Sequence, residues 1–446
     1  MANVIKLRKG LDINLKGKAA ETYTTVKEPG FYALVPDDFP GVTPKVVVKE
    51  QEYVMAGGPL FIDKYHPEVK FVSPVSGVVT SVERGARRKV LNIVVEAAAE
   101  QDYEEFGKKN VSSMDADAVK SALLEAGLFA FIKQRPYDII ADPTVTPKGI
   151  FVSAFDTNPL APDFEFALKG EEANFQTGLD ALAKMAKTYL SISVKQKAAA
   201  LTQAKNVTIT AFDGPNPAGN VGVQINHLDP VSKGETVWTI DPQAVIFIGR
   251  LFNTGRVNFT RTVAVTGSEV LKPAYCKLQV GALLTNVFAG NVTTDKDLRY
   301  ISGNVLSGKQ VSPNGFLGAF HSQLTVIPEG DDVHEMFGWI MPLPLQMPPM
   351  RQVLPPTVNS TAAVLVRVSV VMIARFACSE ASSERTISDR CSSMHSISMR
   401  WPITPVEAGR TSSAAMPSCW ATRAQHSLAR STPLAAQVLA LPLFTR

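Results

Sequence analysis

The fold class follows from residues 149–212, which read GIFVSAFDTNPLAPDFEFALKGEEANFQTGLDALAKMAKTYLSISVKQKAAALTQAKNVTITAF. Short apolar runs at 149–154, 189–194 and 206–212 have the length and the β-branched content of strands. A helical pattern covers 174–187, between the first two runs. Strands and helices that alternate at this spacing predict βαβ units and a mostly parallel sheet.

The same alternation continues on both sides of these residues. A helix capped by Ser112 or Ser113 and ended by Gly127 precedes them, and a further helix is predicted over 196–204, between the last two strands. Residues 106–256 are therefore interpreted as one α/β domain.

The residues before this domain have a different pattern. Residues 1–105 contain short β-type runs with glycine and proline turns between them. Short strands at such close spacing predict a small sandwich or barrel. The predicted strands occupy 45–54, 69–73, 78–82 and 90–96.

The residues after the α/β domain, 257–342, predict a small α+β module. Runs at 262–266 and 275–279 predict a hairpin, a helix is predicted over 282–288, and extended chain follows at 299–303. The predicted fold class is thus α/β plus β, in three consecutive domains.

The last quarter of the chain differs in composition from the rest. No lysine follows Lys309, and residues 343–446 contain ten arginines, four acidic residues and a single glycine, Gly409. Serine and proline are frequent there, without helical or strand periodicity. We therefore predict an aberrant, disordered tail and seek function in the first three quarters of the chain.

Charge and cysteine usage exclude several classes of protein. The formal net charge of +4 comes from the tail and leaves about −2 for the rest, so no nucleic-acid surface is predicted. Cys276 is the one cysteine before the tail, which excludes a disulfide framework or a cysteine-based metal site there. No apolar signal region and no stretch of roughly 20 apolar residues is present, so we expect a cytosolic protein or one that reaches a membrane through partners.

Three motifs could carry chemistry, and each has a simpler structural interpretation. The runs GGPL (57–60) and SPVSGVV (73–79) resemble the half-motif of biotinyl and lipoyl carrier domains, but the lysine context of a carrier is missing, which favours a structural sandwich. The loop 213–222 contains three glycines without the spacing of a phosphate-binding loop, which favours a packing loop over a nucleotide cradle. His227 and Asp229 have no second histidine or cysteine nearby, so a hydrogen-bonded histidine is favoured over a metal ligand.

Two segments are candidate ligand contacts. Residues 129–138, FAFIKQRPYD, combine three aromatic side chains with two cations, a combination that suits a planar ring with an anionic or carbonyl group. A buried helix end with solvated cations is the alternative. Residues 155–163, FDTNPLAPD, form a polar turn after a predicted strand, where open α/β sheets bind ligands, although turn formation alone also explains them.

Several long motifs occur in a characteristic order. They are RPYDIIADP (135–143), SAFDTNPLAPD (153–163), GPNPAGNVGVQINHLDPVSKGETVW (214–238), SGNVLSG (302–308) and FLGAFHSQLTVIPEG (316–330). Together they resemble the family of A subunits of the Na+-translocating NADH:quinone reductase (Na+-NQR), over most of the chain before the tail. The resemblance implies a barrel-sandwich hybrid at 1–105, a Rossmann-like domain at 106–256 and a ubiquitin-like soluble-ligand-binding β-grasp (SLBB) module within 257–342.

The resemblance also implies a function. The family consists of peripheral cytoplasmic proteins of a bacterial membrane complex, a translocase that moves electrons from NADH through flavins and iron–sulfur centres to ubiquinone and exports Na+. It implies the other subunits of that complex (B to F) as partners, and a location on the cytoplasmic face of the inner membrane. It implies no flavin, metal or catalytic centre within this chain.

Quinone contact is proposed in the family for regions that look like 32–39 and 131–138 here. The resemblance, together with the composition of the second region, gives five predicted quinone-binding residues: Phe129, Phe131, Lys133, Arg135 and Tyr137.

The chain departs from the family in two respects. Asn216 and Asn226 stand near positions where the family tends to carry histidine, which puts any role of those histidines in doubt. The similarity stops after Pro342, and the acidic, lysine-containing region with a Cys-x-x-x-Cys-Pro stretch is absent. We hypothesise a frameshift near codon 342, with a genuine recombined tail as the alternative. The alternative function is a stand-alone soluble-ligand-binding protein without redox chemistry.

Overall fold

The computed structural model describes residues 3–293 and 295–330. The predicted aberrant tail at 343–446, and the segment 331–342 before it, lie outside the described residues. Within the described part, the strands form four sheets.

The first two strands join sheets that are built by much later residues. Strand β1 (Asn3–Lys6) lies parallel to a later strand, in which Thr210 is opposite Asn3. Strand β2 (Ala20–Tyr23) lies parallel to another later strand, in which Tyr275 is opposite Tyr23. The domain boundary predicted at residue 105 assigned both segments to the N-terminal β region. This assignment was made because the residues of a strand do not show which other strand it pairs with.

Residues 31–97 form two small antiparallel sheets that share one core. The strands are β3 (Phe31–Leu34), β4 (Pro44–Val46), β5 (Tyr53–Val54), β6 (Pro59–Asp63), β7 (Lys70–Val72), β8 (Gly77–Arg84) and β9 (Val90–Ala97). One sheet has the order β3-β9-β8-β5 and the other β4-β6-β7. The rings of Phe61 and Phe71 stack in the core at 4.4 Å. The strand predicted at 45–54 is interrupted, because a turn with Gln51 at φ 66° separates β4 from β5.

The α/β region is built on a seven-stranded sheet. Its strands are β10 (Ile132–Arg135), β11 (Ile139–Ile140), β12 (Ile150–Ser153), β13 (Thr188–Ser193), β14 (Thr208–Asp213) and β15 (Val237–Ile240), together with β1. Its helices are α1 (Ala116–Glu125), α2 (Phe164–Ala167), α3 (Glu172–Met185), α4 (Ala199–Thr202), α5 (Val221–Leu228) and α6 (Pro242–Thr254). The order is β1-β14-β13-β12-β15-β10-β11, and the first five of these are parallel, as the βαβ pattern predicts.

Helices cover both faces of this sheet. Phe151 and Tyr189 pack with Ile225 of α5, whereas Ile150 and Leu190, one residue along each strand, belong to the core that includes α3 and α6. This alternation is expected because successive strand residues point to opposite faces. The helices α3 and α6 lie side by side over that second face.

Two details of the predicted helices are wrong. Helix α1 is capped by Asp115, whose Oδ1 accepts a hydrogen bond from the Ala118 N–H at 2.8 Å, because Ser112 and Ser113 lie in a separate 3₁₀ turn. The helix predicted over 196–204 is reduced to the single turn α4. Gly127 follows α1 in the left-handed conformation, which glycine adopts without steric cost.

The third region is a six-stranded sheet with the order β19-β18-β20-β16-β17-β2. Its later elements are β16 (Thr260–Thr266), β17 (Ala274–Gln279), α7 (Thr285–Phe288), β18 (Leu298–Ser302), β19 (Lys309–Val311) and β20 (Gln323–Pro328). Strands β16 and β17 form the predicted hairpin, with Val263 opposite Cys276. Among the residues the structure describes, no helix is both long and apolar enough to span a bilayer.

Candidate functional site

A cavity of about 320 Å³ opens at the carboxyl ends of β12 and β15. These strands are neighbours in the sheet, although β13 and β14 lie between them in sequence. The cavity therefore lies outside the carboxyl ends of two adjacent parallel strands. Open α/β sheets bind ligands at this position.

The loops and the starts of two helices form the cavity wall. Helix α5 begins here after Asn220, whose Oδ1 accepts a hydrogen bond from the Gly222 N–H at 2.8 Å, and α6 begins after Asp241. The free N–H groups at a helix start carry partial positive charge. The polar turn predicted after β12 contributes Phe155, Asp156, Asn158, Pro162 and Asp163.

Three of the five predicted quinone-binding residues line this cavity: Phe131, Lys133 and Arg135. The other two do not. Phe129 is fully buried and meets Trp238 edge to face at 5.5 Å, whereas Tyr137 is 76% exposed.

The charged groups of the cavity wall are two cations, Lys133 and Arg135, and four carboxylates: Asp138, Asp156, Asp163 and Asp241. Arg135 Nε lies 3.3 Å from Asp138 Oδ1, and Lys133 Nζ lies 4.0 Å from Asp138 Oδ2. Lys133 Nζ also lies 4.3 Å from the centre of the Phe320 ring, which places the ammonium over an aromatic face. The contact between Arg135 Nε and Asp138 Oδ1 does not have the geometry of a hydrogen bond, and neither atom has another hydrogen-bond partner among the described residues.

A buried ion pair adjoins the cavity. Arg261, in β16, is completely inaccessible, and its Nη2 lies 3.0 Å from Oδ2 of Asp241, a cavity residue. The guanidinium also lies 5.5 Å from the Phe247 ring centre, and its Nε and Nη1 have no hydrogen-bond partner in the described part of the chain. Burial raises the pKa of Asp241, against the opposing effect of Arg261, and burial lowers the pKa of Arg261.

Aromatic rings connect the cavity to the other two regions of the chain. Phe131 lies 6.3 Å from Phe39 of the N-terminal β region and 5.7 Å from Phe320, between ring centres. Phe39 and Phe320 are themselves 5.6 Å apart. The two segments in which quinone contact is predicted, 32–39 and 131–138, therefore meet at this cluster.

A buried histidine, His321, lies close enough to three cations of this region to be affected by their charge. His321 Nδ1 is hydrogen-bonded to Ser302 Oγ at 2.8 Å. Burial, and then the positive charges of Arg261, Lys133 and Lys309, lower the pKa of His321 to about 4. The imidazole is therefore neutral at physiological pH.

Two bacterial proteins are similar in sequence to this chain over most of its length. The A subunit of the Na(+)-translocating NADH-quinone reductase of Serratia proteamaculans (strain 568) is 37% identical over 348 residues, which make up 76% of this chain and 77% of that protein. The corresponding protein of Neisseria meningitidis (serogroup A, strain Z2491) is 35% identical over 345 residues, again 76% and 77%.

The chain belongs to the NqrA family, the A subunits of the Na(+)-translocating NADH-quinone reductase. Three models of NqrA domains match it in order: the NqrA N-terminal barrel-sandwich hybrid domain at 5–98, the NqrA second alpha/beta domain at 114–257 and the NQRA C-terminal domain, of SLBB type, at 262–312. The predicted fold class is thus confirmed for these three domains.

A crystal structure of an NAD+-reducing [NiFe]-hydrogenase is also similar, at 13% identity and a TM-score of 0.33, over 50% of each chain. That similarity carries no argument about this member of the NqrA family.

The glycine loop and His227 of this NqrA chain both contact the protein backbone. The loop 213–222 carries the chain from β14 into α5, and Gly219 packs against the Asp156–Thr157 backbone, where a Cβ atom would lie 2.5 Å from Thr157 N. His227 Nδ1 is 2.8 Å from the Val223 carbonyl oxygen one turn earlier in α5. No group of three metal-ligating side chains occurs in residues 3–293 and 295–330.

Sequence reasoning missed the buried ion pair of Asp241 and Arg261. The signal was present, because Arg261 interrupts a strand pattern that continues as Val263, Ala264 and Val265. A single cation in an apolar strand is rare unless it is paired.

Proposed function

We propose that this chain acts as the peripheral NqrA component of a sodium-pumping NADH:quinone reductase complex, and that the cavity at β12 and β15 holds the quinone headgroup. The observation that carries the quinone proposal is the meeting of Phe131, Lys133 and Arg135 with Phe320 around one cavity at the strand ends. Its volume, about 320 Å³, lies at the lower end of the range of small-molecule sites.

The chemistry of the wall suits a quinone. A planar ring can stack on Phe131 or Phe320, while Lys133 and Arg135 donate hydrogen bonds to its carbonyl oxygens. When the ring accepts electrons, those oxygens gain negative charge, which the same two cations stabilise. Phe129 and Tyr137, the other two predicted residues, would not contact the quinone directly. Phe129 would support the neighbouring strand by packing against Trp238.

The proposal assigns the electron carriers to other proteins of the complex. The loop 213–222 lacks the glycine spacing of a dinucleotide site, and two of its positions, Pro215 and Pro217, have no N–H to donate. We therefore propose that the flavins and iron–sulfur centres reside in the other subunits of the complex (B to F), and that this chain docks on them at the cytoplasmic face of the membrane.

The quinone site is tested by equilibrium binding of a water-soluble short-chain ubiquinone to the purified full chain. Lys133→Met removes the cation and keeps the length of the side chain, so we expect affinity to fall by roughly 10- to 150-fold, the equivalent of one charge-assisted hydrogen bond. The matched control is Lys169→Met, since Lys169 Nζ also lies over an aromatic ring, that of Phe166 at 4.8 Å, but outside the cavity. Equal affinities of the two variants would contradict the proposed site.

Complex membership is tested by affinity purification of the chain from detergent-solubilised membranes of its host. Hydrophobic partner proteins and Na+-stimulated NADH:quinone reduction in the eluate are the expected result. Recovery of the chain alone, with quinone binding intact, would favour the stand-alone ligand-binding protein. A gene corrected near codon 342 then distinguishes that outcome from a defective C-terminus.

A further inference from the structure

The segment that connects β1 to β2 exposes an unusual combination of side chains. Residues 6–18, KLRKGLDINLKGK, carry five cations and one acid. Within this segment Leu11, Ile13 and Leu15 are 64%, 42% and 39% exposed. We define residues 6–18 as the basic-apolar strip.

The strip is held in place at several points along its length. Leu7 N–H donates to the Asp213 carbonyl oxygen at 2.7 Å, and Leu11 N–H donates to that of Asn216 at 2.9 Å. At the far end, the Gly17 carbonyl oxygen accepts from Gly267 N–H at 3.0 Å. The exposed leucines and isoleucine are thus presented by a positioned backbone.

The cations of the strip are available to meet an external anion. All five are exposed, and none forms an ion pair with another described residue: Lys6, Arg8, Lys9, Lys16 and Lys18. The single acid, Asp12, is engaged with the protein, because its Oδ1 accepts a hydrogen bond from the Asn216 N–H at 2.8 Å. The strip therefore combines an unneutralised positive field with apolar side chains at its centre.

We propose that the basic-apolar strip binds the anionic lipid surface of the membrane. Clustered lysine and arginine residues are attracted to anionic headgroups, and exposed leucine and isoleucine side chains insert at the boundary between headgroups and acyl chains. The charge also argues against a membrane protein as the occupant, because the cytoplasmic loops of membrane proteins carry an excess of lysine and arginine and would repel the strip. Through the strip the chain would contact lipid directly, in addition to any contact with partner proteins. The inference rests on the membrane location given under the proposed function.

The test measures co-sedimentation of the full chain with vesicles of phosphatidylcholine, with and without phosphatidylglycerol, at low and high salt. We expect binding to the anionic vesicles that high salt weakens. Each cation near an anionic surface contributes about a 5-fold increase in partitioning, so the four-site charge variant should lose up to about 600-fold. That variant is Arg8→Gln, Lys9→Gln, Lys16→Gln and Lys18→Gln.

Two matched controls separate the strip from general surface charge and general surface apolarity. The charge control changes four exposed lysines elsewhere: Lys195→Gln, Lys197→Gln, Lys205→Gln and Lys233→Gln. The apolar variant is Leu11→Ser with Leu15→Ser, and its control is Leu271→Ser with Leu306→Ser, at leucines 57% and 54% exposed. Both controls should bind vesicles as the parent chain does.

Four results would overturn the proposal. The parent chain could fail to bind anionic vesicles, or the strip variants could bind as tightly as the parent, or the controls could lose as much binding as the strip variants. The strip variants could also bind vesicles as the parent does but fail to co-purify with partner proteins in lipid-free detergent. That result would assign the strip to a protein partner and overturn the lipid proposal. Far-UV circular dichroism and short-chain quinone affinity establish that each variant is folded, and the quinone measurement keeps a failure of the strip distinct from a failure of the proposed function.

Discussion

Substitution of one glycine, Gly249→Ala in α6, tests how closely α3 and α6 are packed. A Cβ atom at this position would lie 1.7 Å from the carbonyl oxygen of Asn174 in α3 and 2.5 Å from its carbonyl carbon. The contact is reciprocal, because a Cβ atom on Gly178 of α3 would lie 2.1 Å from the carbonyl oxygen of Val245 in α6. The two helices therefore approach through paired glycines, backbone against backbone.

The sign of the stability change depends on two opposing effects. In a helix interior without tertiary contacts, alanine stabilises by about 1 kcal/mol relative to glycine. Here the helices must separate by roughly 1.5 Å to restore an ordinary contact, and a backbone oxygen cannot rotate away, so the cost is near the upper end of the roughly 1–3 kcal/mol typical of overpacking. We expect Gly249→Ala to lower the free energy of unfolding by about 2 kcal/mol.

The assay is urea unfolding followed by far-UV circular dichroism, with Gly222→Ala in α5 as the matched control. A Cβ atom at Gly222 meets only the side-chain oxygen of Asn220, at 3.2 Å, so this variant should be at least as stable as the parent. A lower midpoint with an unchanged denaturant slope identifies a change in stability. If Gly249→Ala unfolds at the same urea concentration as Gly222→Ala, the close approach of α3 and α6 is wrong.

Three further predictions concern buried polar groups. The pKa of His321 is about 4 in the folded chain and 6.5 in the unfolded chain. The free energy of unfolding should therefore decrease by up to about 3 kcal/mol as the pH falls from 6.5 to 4. The variant His321→Gln should flatten that dependence in urea titrations at several pH values. Arg261→Met should cost about 3–5 kcal/mol in the same assay by leaving Asp241 unpaired, and addition of Asp241→Asn should restore most of the loss; a double variant as unstable as the single one would contradict the pairing. Burial raises the pKa of the Cys276 thiol to about 12, so peptide mass spectrometry should find it unalkylated in the native chain and alkylated in urea.

Local patterns in the sequence predicted strands β7 to β9, β12 to β14 and β16 to β18 and helices α1 and α3, because periodicity reports which faces are buried. They predicted no strand at β10 or β15 and no helix at α5 or α6. They could not place β1 and β2, since the partner of a strand lies in another part of the chain. The cavity posed the same difficulty: its walls come from residues near 133, 156, 220, 241 and 320, which only the folded sheet brings together.

The five predicted quinone contacts illustrate the limit more closely. Lys133 and Arg135 are spaced by two within β10, and such residues of a strand point to one side. Phe129 and Phe131 precede this strand in a 3₁₀ turn, and Tyr137 follows it beyond the peptide bond to Pro136. Composition selected all five, whereas the period of a strand over 132–135 would have selected two of the three that line the cavity, and the place of Phe131 there depends on the turn.

The pairing of β1 with β14 has a consequence for biosynthesis. Asn3 leaves the ribosome before its partner Thr210, which is synthesised roughly 200 residues later, and at about 5–20 residues per second the delay is about 10–40 s. During that interval the first strand has no edge to join, and the basic-apolar strip behind it is unanchored. These early residues are thus free to meet chaperones or a membrane surface until β14 has been made.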